Sequence, residues 1–133
     1  MKDTALTISH PLHITHNDIA GILCTAFESG SGYWANVEVA YTPTDAEMTD
    51  SDTYGYWTGY AHYMVNHPDF KLTITDFEEE ESYTVTLETL KKGLKVMAKE
   101  APRHFDDFIN ENSDAITGDV FLQCAVFGDV IYG

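Results

Sequence analysis

A chain of 133 residues, 44% hydrophobic and 13% aromatic, is long enough for one domain that buries roughly two thirds of its unfolded surface. No apolar run approaches the ~20 residues of a membrane span, and the opening "MKDTALTISHPLHITH" lacks the apolar block of a secretory signal. The expectation is a cytoplasmic protein, and its 22 acids against 7 basic residues, a net charge of -15, argue against direct binding to nucleic acid, where Lys and Arg must neutralise phosphates.

The whole chain, 1–133, reads as one domain, with residues 1–14 a possible N-terminal arm. The first helix is expected over about 16–29. Thr15 and Asp18 form a capping-box pattern, and Ile19, Ile22, Leu23, Ala26 and Phe27 then recur on one face. Gly30 is placed to end that helix in the left-handed conformation, and Ser31-Gly32 to turn the backbone. A strand follows over 33–41, with Tyr33, Ala35, Val37, Val39 and Tyr41 on one parity and Trp34, Asn36 and Glu38 on the other. The stretch "TPTDAEMTDSD" reads as an acidic loop. The aromatic segment after it, with Tyr54, Tyr56, Trp57, Tyr60 and Tyr63, fits either a helical stripe or a loose strand.

Strand propensity returns over 70–77 and again in "SYTVTL", which predicts a hairpin with Glu78, Glu79, Glu80 and Glu81 at its tip and Thr86 capping the next helix. That helix, about 87–100, places Leu87, Leu90, Leu94, Met97 and Ala98 on one face and Lys91, Lys92, Lys95 and Lys99 mostly on the other, and Pro102 ends it. A short helix over about 103–110 would bury Phe105, Phe108 and Ile109. A last one, about 115–127 behind a capping Asp114, would bury Ile116, Val120, Phe121, Cys124 and Phe127, with Gly128 as its stop. The fold class is α+β: a small antiparallel sheet of about three strands covered by three to four helices. Cys24 and Cys124, without a CxxC pattern, read as buried small hydrophobes.

Charge is unevenly placed along the chain. Between Asp3 and Phe70 there is no Lys or Arg but nine acids, and His104 to Gly133 repeats this with six. Lys2 apart, every basic residue lies between Lys71 and Arg103. The expected partner is therefore a basic protein, or one that normally grips nucleic acid, and a homo-oligomer is left open. No phosphate-loop, dinucleotide, nucleophile-elbow or zinc-protease motif is present, so no cofactor and no enzymatic activity are expected. His10, His13 and His16, spaced by three, are weak metal candidates that Pro11 keeps off a regular helix. His104 with Asp106 and Asp107 reads as a helix N-terminus before it reads as acid-base machinery.

Three stretches carry a family resemblance: "TAFESGSGYW", "YTVTLETLKKGLKVMA" and "DAITGDVFLQCAVFGDVIYG". They resemble the A-[FL]-E-G-G-x-x-Y-W, L-x-x-L-x-K-G and D-A-x-x-A-D-x-x-x-Q-x-x-x-F-G-[DE] blocks of a family of small proteins encoded by tailed phages and prophages. Ser29 stands where that family usually has glycine and Gly118 where it usually has alanine, and residues 42–69 have no counterpart. The resemblance implies a phage accessory protein and brings no catalytic residues with it. The leading expectation is an acidic inhibitor of a host defence system, of anti-CRISPR or anti-restriction type, that mimics nucleic acid. Asp45, Glu47, Asp50, Asp52 and Glu78 to Glu81 would be its phosphate mimics, with Trp57 and Tyr60 as anchors. The alternatives are a small-ligand or nucleotide-binding module built on the aromatics, and a metal-dependent enzyme using the histidines.

Overall fold

The computed structural model describes residues 6, 11–40, 44–48 and 64–133, the side chains of Glu47 and Met48 excepted. Among these, helix α1 spans His16–Thr25, strand β1 Ala35–Val39, helix α2 Asp45–Met48, strand β2 Leu72–Asp76 and strand β3 Glu81–Val85. Helices α3 (Leu87–Glu100), α4 (Pro102–Ile109) and α5 (Ala115–Phe127) complete the order. The three strands form one antiparallel sheet in the order β1-β2-β3, with Val37 opposite Ile74 and Ile74 opposite Tyr83. One face of it, carrying Leu72, Ile74 and Val85, is buried in the core, and the other presents the exposed Asn36, Glu38, Ser82 and Thr84. The fold is α+β, as the periodicities predict, and among the described residues no helix is long and apolar enough to cross a membrane.

The local signals explain most of the element ends. Asp18 N–H donates to Thr15 Oγ1 and Thr15 N–H to Asp18 Oδ2, both at 3.0 Å, so the capping box starts α1. Asp114 opens α5 in the same way, accepting from Thr117 N–H at 2.9 Å. Those bonds hold the Asp114 carboxyl below its ordinary value. Gly128 closes α5 at φ 73°, the left-handed region that glycine enters without strain. In α3 the four lysines are exposed while Leu90, Leu94 and Met97 are buried, which is the amphipathic split expected there.

Four expectations are corrected. The first helix stays α-helical only to Thr25, and Ala26–Gly30 widen into a π-helical turn that Ser31 N–H closes onto Ala26 O at 2.7 Å. Gly30 is not left-handed. It is needed because a Cβ there would lie 2.3 Å from the carbonyl oxygen of Ala115, so its role is close approach and not chain reversal. The acidic loop is interrupted by the one-turn helix α2. Ile116, expected in the core, is 62% exposed, because α5 is buried on every side from Thr117 to Cys124 and has no need of its first turn. The end of the expected first strand at Tyr41 and the aromatic segment 54–63 lie outside the described residues.

Helix α5 is the centre of the molecule. It packs against α1, the π turn, α3 and α4, and a helix enclosed in this way is apolar all round. Besides that of Gly30 with Ala115, two contacts are close enough to require glycine: a Cβ at Gly118 would sit 2.7 Å from Ala26 N, and one at Gly93 2.6 Å from Ala125 Cβ. An alanine at position 118 would meet backbone here.

Candidate functional site

Beyond Thr117, which belongs to the cap, two side chains break the apolar character of α5: Asp119 and Gln123, four residues apart on one face. Asp119 is 8% exposed and Gln123 fully buried, and burying a carboxylate is tolerable only if its oxygens are supplied with donors. The residues after the π turn supply them. Ser31 Oγ donates to Asp119 Oδ1 at 2.8 Å and Trp34 Nε1 to the same oxygen at 2.7 Å. Tyr33 OH donates to Oδ2 at 2.6 Å, and Gln123 Nε2 to the same oxygen at 3.1 Å. Four donors fill the acceptor sites of one carboxylate, and none of the four carries a positive charge.

Gln123 extends the network to the C-terminal tail. Its Oε1 accepts from the N–H groups of Ile131 and Tyr132, both at 2.8 Å, so the tail after Gly128 lies as an ordered strap with no strand of its own. Tyr132 then reaches the sheet, donating its hydroxyl to both oxygens of Asp76 at 3.0 and 2.8 Å. Asp76 is buried at the end of β2 and also accepts from Glu78 N–H at 2.9 Å. Trp34, Phe127 and Tyr132 enclose this polar core, with ring centroids 5.0 to 5.9 Å apart. Burial, and after it the bond to Asp119, push the Tyr33 hydroxyl up to about 12. Desolvation, then the bond to Asp76, likewise raise Tyr132.

Beside the network lies a cleft of about 460 Å³, walled by Tyr33, His104, Ile116, Asp119, Val130 and Tyr132 among others. Tyr33 is 53% exposed although its hydroxyl is bonded inward. Among the described residues no Lys or Arg is in the wall. His104 Nδ1 is buried with no hydrogen-bond partner among the described residues.

The residues predicted from sequence fall elsewhere. Glu78 to Glu81 form the exposed end of the β2–β3 hairpin, as expected. Asp45 is exposed on α2, which also carries Glu47. Asp50, Asp52, Trp57, Tyr60 and His10 lie outside the described residues. His13 is exposed and His16 half-buried in the first turn of α1, and among the described residues no three His, Cys, Asp or Glu are grouped to hold a metal ion. His104 and Asp107 are half-buried in α4 and Asp106 exposed, and His104 meets the cleft without an Asp106 or Asp107 contact in its wall. Cys24 and Cys124 are buried, and burial pushes the Cys124 thiol up to about 11.

The network itself escaped the reading of the sequence, although its signal was present. An Asp and a Gln at i and i+4 inside "AITGDVFLQCAVF" have no reason to be there unless something pairs with them. Their partners belong to "SGSGYW", the other stretch singled out above, so the two blocks most distant in sequence meet at one carboxylate. Compared with protein-family models, curated proteins and solved structures, the chain matches none of them. What the site can do follows from its own atoms.

Proposed function

We propose that this chain is an acidic protein-binding inhibitor, phage-encoded as its sequence blocks suggest, which occupies the basic nucleic-acid groove of a host defence protein in the host cytoplasm. The observation that carries the reading is the β2–β3 turn. Four consecutive carboxylates are exposed there, and the turn is braced at its base, where Asp76 holds Glu78 N–H and is itself held by Tyr132. A groove that binds phosphate by counter-ion release is met best by carboxylates already fixed in space, because ordering them on contact costs entropy.

Glu80 adds weight to this reading. It lies at φ 55°, a conformation that glycine or asparagine adopts with ease and other residues at a cost of about 1–2 kcal/mol. A turn selected only for folding would carry Gly there. The chain instead keeps a fourth carboxylate at the tip.

Capture of a target from host lysate by the tagged protein, repeated at low and high salt, tests the reading. Recovery of a nucleic-acid-handling protein that is lost as salt rises is the expected result. Reversal of Glu78 to Glu81 to lysine should abolish the capture, and reversal of Asp45, Glu47, Asp50 and Asp52 should weaken it. Both variants should keep the parent's thermal midpoint. Capture that survives both reversals with the fold intact would remove the assignment.

A small-ligand module is the second reading, favoured by the cleft beside Tyr33. Its carboxylate wall disfavours ligands that carry phosphate.

A further inference from the structure

We infer that the cleft beside Tyr33 receives a single organic cation, a guanidinium or ammonium group on an apolar stem, supplied by a basic side chain of the protein partner. The inference rests on the partner-binding reading only for the source of the cation. The chemistry of the cleft stands on three separate observations.

First, Asp119 is more than nine-tenths buried and forms part of the wall. Its neighbours satisfy every lone pair but leave its charge uncompensated, since Ser31, Tyr33, Trp34 and Gln123 are all neutral donors. A buried charge ordinarily has a counter-charge, and here the open volume beside it is where one would fit. Second, the described wall holds a carboxylate and no Lys or Arg, and Asp114 caps α5 one residue before the wall residue Ala115, so with the wall's His104 in its neutral form an anion is opposed while a cation is drawn in. Third, the rim is apolar and exposed: Ile116, Val130 and the ring of Tyr33. That surface suits the methylene stem of Arg or Lys, and an aromatic face takes a guanidinium by cation–π stacking.

The probe is Nα-acetyl-arginine methylamide, with the citrulline analogue as its neutral isostere, titrated into the full chain while amide and methyl resonances are followed by NMR. Saturable shifts at Tyr33, Ile116 and Val130 are expected with the arginine probe, and binding at least tenfold weaker with citrulline. Asp119→Asn should weaken the arginine probe at least tenfold. Because that change also touches the fold, Ile116→Arg is the companion: an exposed position whose own guanidinium should fill the mouth and exclude the probe, while Thr84→Arg, which adds the same charge on the solvent face of the sheet away from the cleft, should bind within about twofold of the parent. Equal affinity for the two probes, or no saturable shift with arginine, overturns the proposal, as does unchanged binding in Ile116→Arg. Lysine reversal of Glu78 to Glu81 should leave probe binding within about twofold. A failure of the hairpin as a partner surface is thereby distinguished from a failure of the cleft.

Discussion

Asp76 and Glu78 are two residues apart and have the same functional group, yet one is sealed at the hairpin base and the other stands in solvent at its tip. Asp76 and Asp119 are engaged by fixed donors, whereas Glu78 offers its backbone N–H to the network and keeps its side chain exposed. The contrast separates two uses of carboxylates in a chain of net charge -15. Interior ones set the geometry by collecting donors from distant segments, and exterior ones are presented by that geometry. Burial decides which is which, because a buried acceptor is strongly coupled to its partners while an exposed one has water as an equal alternative.

The contrast is sharpest in stability. Asp119→Ala strips four donors of their acceptor, and since each buried orphan costs about 1–3 kcal/mol before water enters, a loss of about 3–5 kcal/mol is expected in chemical denaturation. Replacement of Glu78, Glu79 and Glu81 together by glutamine should leave the same transition where it is. A network that tolerated Asp119→Ala would mean that the tail strap and the π turn are held by packing alone. Next in size is Glu80→Gly, which removes one exposed carboxylate and the left-handed strain together. It should raise stability by about 1 kcal/mol while weakening capture of a basic partner. A variant that gained stability and lost no affinity would make the tip a spacer.

How much of this was legible follows the same division. Element types and the ends set by local chemistry could be read: the Thr15 and Asp114 caps, the Gly128 stop and the lysine face of α3 all depend on residues within one or two turns. Gly30 was misjudged because its reason is the approach of Ala115, 85 positions away, and Ile116 because apolar periodicity counts faces without knowing which are already covered. The pairing within the buried network was illegible for the same cause. Asp119 and Gln123 were visible as polar residues in an apolar helix, but their donors at Ser31, Tyr33 and Trp34 come from across the fold. The charge run at 78–81 needed no such knowledge, since an exposed turn is its default place.

The smallest expected effect tests whether Tyr33 belongs to the interior set although about half of the residue is in solvent. Its hydroxyl donates to Asp119, and burial together with that carboxylate holds it at about 12 against an ordinary value of 10.0. The fold thus favours the protonated phenol over what the unfolded chain does. The associated stability is complete below pH 10 and is lost as pH rises from about 10 towards 12. Half-exposure screens the effect, so only a modest drop in the denaturation midpoint is expected across that window. Tyr33→Phe provides the control: it should lose the hydrogen bond at neutral pH and show a shallower alkaline decline than the parent, the difference between the two curves belonging to Tyr33. Parallel curves would mean that the hydroxyl ionises with no regard for Asp119. The ring would then be a rim of the cleft and no part of the network that holds it.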